Sequence, residues 1–417
     1  MRTDRIGLAA LVLAGAWAGP VAGGQLVLLS KPFGGMVGVP GTAIGYIALT
    51  ALVTGSAAGV VAVWRRWSPS WAAGAGIVAG AAFTAAGMLS GPVPFVAALL
   101  VASAACGPLI AIGRVLVWRR PRALAGWQVA MTVGVAVAAG TGGRWIETPG
   151  TALIVAGIAV GLHSALALGV KRPTEEVMPI SAGAAGAAGA AGAGAAGADG
   201  AGAAAGADGA GVGVGADGAG LGVGADAGTG LSRHDLLLGY AAAGFVLGGT
   251  ILPALHLLLF RWEVFGADQV GLLMLAAVPA GIAVALPGPH ASAVPVLLIL
   301  AAGGPVLVST APGAAGVAIG IAVTLAAGAR AARGLDRTAA ITPGHPWWAV
   351  FTLLVVLVAG VLGLGAVSLL ASRFGTGTAL TALALPVLVA AALYARSARP
   401  RPARTSAAHP VLEGGLP

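Results

Sequence analysis

From Ile6 onward the chain is a succession of strongly apolar runs separated by short breaks rich in Gly, Pro or Arg. Each run is close to the roughly 20 residues a helix needs to cross a hydrocarbon core. In lipid every backbone N–H and C=O must be bonded within its own segment, so each run is read as a transmembrane helix. The runs lie at 6–29, 43–64, 71–89, 93–117, 124–141 and 151–170, then at 235–259, 269–287, 292–310, 312–330, 348–370 and 377–395. At Gly91-Pro92 and Ala311-Pro312 the breaks are so short that two runs could be counted as one. The expected fold is an all-α membrane protein of about twelve transmembrane helices in a 6+6 arrangement. Its expected parts are a six-helix half at 1–172, an Ala/Gly-rich cytoplasmic linker at 173–232, a second six-helix half at 233–396 and a basic cytoplasmic tail at 397–417.

Composition excludes a water-soluble surface: 58% of the residues are hydrophobic and 8% are charged. A net charge of +9 would suit nucleic acid on a soluble protein. Here the basic residues sit in short clusters between apolar runs, so they are read as topology signals and no nucleic-acid partner is expected. With both termini cytoplasmic, eighteen of the 22 Lys and Arg residues fall inside, among them Arg65, Arg66, Arg114, Arg330, Arg333 and Arg337. Only Lys31, Arg144, Arg261 and Arg373 fall outside. The turn from Pro287 to Ala291 is the exception, a cytoplasmic turn with no Lys or Arg. The expected location is the plasma membrane. Met1 to Ala18 carries a basic start and a small-x-small end like a secretory signal. The apolar run continues past Gly19-Pro20 to Leu29, which favours a first span.

Asp199, Asp208, Asp217 and Asp226 recur every nine residues within the Ala/Gly segment. A nonapeptide with Gly and Asp suggests a calcium-binding β-roll, but these units lack paired glycines and a regular large apolar residue. The segment is read as a disordered, low-complexity linker. Gly76 and Gly80, Gly157 and Gly161, Gly244 and Gly248, and Gly316 and Gly320 are spaced as GxxxG, which permits close helix approach. Trp64, Trp67, Trp71, Trp118, Trp145, Trp262, Trp347 and Trp348 lie near run ends, as interfacial anchors do.

Ionisable residues inside spans usually mark transport paths. None of the 13 acidic residues falls deep within an expected span: Asp235 and Asp268 begin spans, Glu147 and Glu263 lie in outer loops, and the rest fall in termini, cytoplasmic loops or the linker. The candidate substrate-binding side chains are therefore polar ones, Gln128, His163 and His256. A neutral histidine can bind substrate or relay protons, and it can equally bond a neighbouring helix. Cys106, the single cysteine, lies in an apolar run and offers no disulfide or metal cluster. HExxH, CxxC, GxSxG and Walker-type loops are all absent, so neither enzymatic activity, a cofactor nor a metal is expected.

The 6+6 plan with inside termini and a long central loop resembles the major facilitator superfamily (MFS), particularly its drug:proton antiporter branch. RALAGWQVAMTVGVAVAAGTGGRWIE, from Arg122 to Glu147, resembles that branch's fifth span and the loop after it. VFGADQVGLLMLAAVPAGI, from Val264 to Ile282, resembles the segment entering its eighth. In the family the loop between spans two and three reads roughly GxxxDRxGRR and latches conformational states. Here GVVAVWRRWSPSW keeps Gly59, Arg65 and Arg66 as gating candidates and lacks the acid. The fourth-span arginine tied to proton coupling has no counterpart near Leu99 to Ala105, and Gly140-Thr141 stands where the family has Gly-Pro.

The resemblance implies a secondary transporter with alternating access that exports a small organic molecule, and the scarcity of intramembrane charge favours an apolar or weakly polar one. Its partners would be the lipid bilayer and that substrate, and the chain is read as a monomer. Two alternatives stay open: a transport-inactive membrane scaffold or partner subunit, and an intramembrane lipid-modifying enzyme.

Overall fold

The computed structural model describes residues 2–118, 120–168, 232–264, 266–341 and 347–398. The expected linker and tail lie outside the described residues, apart from Ser232 and residues 397–398. The described chain is helical throughout, with short connections and no strand.

The first span is α1 (Arg2–Ala16), a π-helical turn at Trp17–Val21 that accommodates Pro20, and α2 (Ala22–Leu28). A proline removes one intrahelical bond and clashes with the preceding turn, and the wider turn absorbs both effects. After the short α3 (Ser30–Val37) come α4 (Gly41–Trp64), α5 (Pro69–Met88), α6 (Pro92–Trp118), α7 (Pro121–Gly142) and α8 (Pro149–Ala167). The second series is α9 (Arg233–Phe260), α10 (Gly266–Ala285), α11 (Val294–Thr310), α12 (Ala314–Ile341), α13 (Trp347–Phe374) and α14 (Thr376–Ser397). Both doubtful junctions separate helices: α5 ends at Met88 before Pro92, and α11 ends at Thr310 before Ala314.

Among the described residues, ten helical stretches are long and apolar enough to cross a membrane. α7 and α10 are helices at the places in the series where the fifth and eighth crossings are expected, and Val270–Ala285 is the apolar part of α10. Large apolar side chains such as Val53, Ile158, Leu162, Leu362, Leu369 and Leu385 face outward. Lipid is the solvent that such a surface requires.

The same neighbour relations recur in the two series. α4 packs on α6 as α10 packs on α12; α5 packs on α6 and α8 as α11 packs on α12 and α14; α1 meets α7 and α8 as α9 meets α13 and α14. The series meet where α7 lies against α10 and α12, and α6 against α13. Because successive spans run antiparallel, α6 and α12 end, and α7, α9 and α13 begin, at one end of the bundle. That end, which carries the first and last helices' chain ends, is called the terminal face below.

Small residues set the helix separations. At the α5–α8 crossing, a Cβ on Gly80 would lie 2.5 Å from the carbonyl oxygen of Gly157, and one on Gly157 would lie 2.5 Å from that of Gly80. Gly244 and Gly248 meet the Val356 and Gly360 backbones in the corresponding place between α9 and α13. Gly320 approaches Gly304 on α11, whereas its GxxxG partner Gly316 faces only Ala311 and Pro312.

One boundary corrects the sequence reading. The tenth span, expected at 312–330, continues as helix to Ile341, and Ala331, Leu335 and Ala339 are buried along its extension in line with Ala327. Asp336 therefore lies not in a cytoplasmic loop but inside a packed helix, 1% exposed.

Alanine is about 1 kcal/mol better than glycine in a helix interior, so close packing reverses the usual sign. Gly80→Ala should lower the melting temperature in detergent by several degrees. Gly74→Ala on the same helix, where an added Cβ meets nothing within 4 Å, should leave it unchanged or raise it. Equal responses would contradict the crossing.

Candidate functional site

The structure's one buried cluster of opposite charges among the described residues lies at the seam between the two series. Asp336 on α12 holds it together. Its Oδ1 accepts from Arg114 Nη2 at 2.7 Å and from the Tyr240 hydroxyl at 2.7 Å. Its Oδ2 accepts from the Gln128 side-chain amide. Arg114 and Gln128 belong to the first series, on α6 and α7, while Tyr240 and Asp336 belong to the second, on α9 and α12.

Each side chain reaches the seam for a local reason. Arg114 stands one turn before the end of α6, and Trp118, four residues later on the same helical face, lies under its guanidinium at 5.1 Å. Arg114 Nε also donates to the Ala349 carbonyl at 3.4 Å, one of the first-turn residues of α13. Gln128 follows Trp127, which is buried over Gly113, where a Cβ would come within 2.9 Å of the ring. Tyr240 lies two turns into α9, whose start is fixed by a capping box between Ser232 and Asp235. Asp336 follows Leu335 on the buried stripe of α12.

The surroundings are dry. Side-chain exposure is 7% for Arg114 and 1% for Asp336. An apolar layer from both series encloses them, including Val117, Trp118, Leu124 and Trp127 with Leu236, Leu335, Ala339 and Ala349. Burying one such charge alone would cost several kcal/mol. Here three donors satisfy the carboxylate, and two of them come from the opposite series. The arrangement is a clamp, since it ties four helices at one face and offers no nucleophile or general-base geometry.

The residues singled out from sequence are not brought together. Gln128 is a member of the clamp. His163 is half-buried on α8, with Nδ1 2.7 Å from the Ala159 carbonyl of its own helix. His256 is exposed on α9, its ring 4.5 Å from that of Phe260. It lies sixteen residues beyond Tyr240, about 24 Å along the axis. Gly59 is a crossing residue, its Cβ position 2.8 Å from the Gly107 carbonyl of α6. Arg65 caps α4 and Arg66 follows at a φ of 53°, both exposed at the terminal face.

Sequence reasoning missed Arg114, Tyr240 and Asp336 as site residues. Two signals pointed to Arg114 and Asp336: Arg114 falls inside the fourth apolar run, and the Ala327, Ala331, Leu335, Ala339 repeat carries helical periodicity past Arg330. Among the described residues no cluster of three His, Cys, Asp or Glu could hold a metal. A cavity of about 520 Å³, lined by Met36, Gly87, Ile146, Glu147 and Gly150, belongs wholly to the first series at the opposite face.

No protein-family model and no curated protein matches the sequence. Solved structures do match the fold. The human organic anion transporter MFSD10 (TETRAN) aligns with a TM-score of 0.55 at 14% identity, over 94% of this chain and 98% of that one. A POT family transporter in complex with 5-aminolevulinic acid aligns at 0.60 and 10% identity, over 94% and 96%. A POT family transporter in complex with a thioalcohol-conjugated peptide aligns at 0.58 and 11%, over 93% and 95%. At such identities the likeness defines the fold, which is that of the major facilitator transporters.

Removing one partner of a buried pair costs about 3–5 kcal/mol, whereas replacing both by apolar groups costs far less. Arg114→Met and Asp336→Leu should each strongly destabilise the protein in detergent unfolding, and the double variant should recover much of the loss. Additivity within about 0.5 kcal/mol would show that the two residues are not coupled.

Proposed function

We propose that this chain is a secondary transporter working by alternating access, and that the Arg114–Asp336 clamp closes its cytoplasmic end. The observation that carries this reading is the clamp's composition. A pair of charges buried between two six-helix units is a two-state element: paired when the seam is dry, separately hydrated when it opens. Each state satisfies the charges, so the cost of exchange is smaller than the cost of breaking the pair in place. Pairs of this kind suit halves that rock about a central path.

The bias of Lys and Arg toward the terminal face supports a cytoplasmic placement of both termini in a plasma membrane. No nucleotide-binding loop occurs in the sequence, which favours a gradient or the substrate's own gradient as the driving force. With Asp336 and Arg114 neutralising each other, the path between the halves is poor in net charge. That suits a small organic, apolar or weakly polar substrate with Gln128, His163 and His256 as polar contacts, and we read the direction of transport as export. Gly59, Arg65 and Arg66 would move with the α4–α5 turn during gating.

The test uses the full chain with Cys106→Ser and Ala349→Cys, which puts a thiol beside the clamp. A transporter should show slow alkylation that speeds up several-fold in Asp336→Asn and changes with one or more compounds from a chemically diverse panel. Cells expressing the wild-type chain should accumulate less of those compounds than cells expressing Asp336→Ala. A thiol whose reactivity no compound changes, together with identical accumulation across the panel, would overturn the proposal.

A further inference from the structure

A second group of charges lies near the end of α12, turned by about 60 to 120° from Asp336 around the helix axis. Arg330, Arg333 and Arg337 fall within about 60° of one another around the helix axis, at 100° per residue. Two of them are anchored. Arg330 Nη1 donates to the Ala283 carbonyl at 2.6 Å, and Arg337 Nη1 donates to the Gly288 carbonyl at 2.9 Å. These carbonyls belong to the last turn of α10 and the turn after it, where helix carbonyls lack intrahelical partners and the dipole favours cations.

Arg333 stands between the anchored pair, its Nε 3.7 Å from the Cβ position of Gly288. Its Nη1 is buried and has no hydrogen-bond partner among the described residues. The nearest acid along the helix, Asp336, is already engaged by Arg114, Gln128 and Tyr240. Three cations are thus gathered without a countercharge from that acid, and one has a buried donor left over among the described residues.

Depth decides what could satisfy it. With 28 residues, α12 is about 42 Å long, roughly 12 Å more than a hydrocarbon core. If the crossing begins near Ala314, Arg330 stands about 24 Å along it, Arg333 about 28 Å and Arg337 about 34 Å, so the group straddles the boundary between hydrocarbon and headgroups, where long arginine side chains reach outward to the phosphates. Guanidinium groups match phosphate oxygens in charge and in fork geometry.

We propose that Arg330, Arg333 and Arg337 form a binding site for a phosphate anion at the terminal face, with Arg333 as its principal donor and the α10 carbonyls holding the other two arginines in place. The phosphate can come from an acidic phospholipid headgroup or from a soluble phosphate. The site is independent of whether the chain transports anything.

The experiment uses the full chain in two arms. In one, nanodiscs of phosphatidylcholine are compared with nanodiscs containing phosphatidylglycerol; in the other, detergent samples in phosphate are compared with samples in chloride at equal ionic strength. Thermal stability and native mass spectrometry report binding. A rise in Tm of several degrees with phosphatidylglycerol alone assigns the site to lipid, and a rise with phosphate alone assigns it to a soluble ligand. Arg333→Gln should weaken binding at least roughly tenfold. Arg333→Lys, which keeps the charge without the fork, should fall between. Arg373→Gln, at the opposite face, should bind as wild type. Binding in neither arm, or binding equally strong in Arg333→Gln and Arg333→Lys as in wild type, would overturn the proposal.

Discussion

A guanidinium and a carboxylate 2.7 Å apart in a dry seam hold each other there, because neither can remain alone where water does not reach. The rest of the terminal face is arranged around that constraint. α6 carries Arg114 to the seam and sets Trp118 beneath it. α12 runs on past its crossing to deliver Asp336, and α9 and α7 supply Tyr240 and Gln128. The layer of Leu, Ala and Trp side chains around the pair does more than fill space: it keeps the dielectric low, so that pairing rather than hydration satisfies the charges.

Such precision rests on how closely the helices approach. Lipid chains are as apolar as leucine, so helices in a membrane gain little by simply hiding side chains from their solvent. Glycine crossings such as Gly80 with Gly157 and Gly248 with Gly360 let backbones touch, giving each series its own rigid packing. Recurrence of the same neighbour relations in both series leaves a seam between two similar bodies. Contacts across it fall mainly to α6 and α7 against α10, α12 and α13, with smaller ones of α2 on α9 and α4 on α13, and the charged clamp lies among them.

Arginine plays three physical roles at this face, which a count along the chain cannot separate. Arg65 and Arg66 are exposed charges of the kind the positive-inside rule counts. Arg114 is buried and paired. Arg330 and Arg337 bond carbonyls at the end of α10, which also accounts for the turn from Pro287 to Ala291 that lacks basic residues of its own: α12 brings them in from the side. All five were equivalent as topology signals, and their different roles arise from which helix each one meets.

The crossings were legible in the sequence because bilayer thickness imposes a length on every apolar run, and backbone hydrogen bonding in lipid leaves helix as the only form those runs can take. The breaks between α5 and α6 and between α11 and α12 could likewise be read from proline and glycine. The clamp was less legible. Gln128 stood out as a polar residue in an apolar run, but Arg114 near a span's end and Asp336 beyond an apparent one look the same as headgroup-facing charges. Hydropathy stops at the edge of the apolar stretch, while the helix of α12 continues as long as its Ala and Leu stripe finds neighbours. Sequence alone determined the order and approximate placement of the apolar helices, since each depends only on its own residues and the thickness of lipid. Tertiary structure alone decided that residues 114, 128, 240 and 336 meet, because their contact depends on how four separate helices are placed.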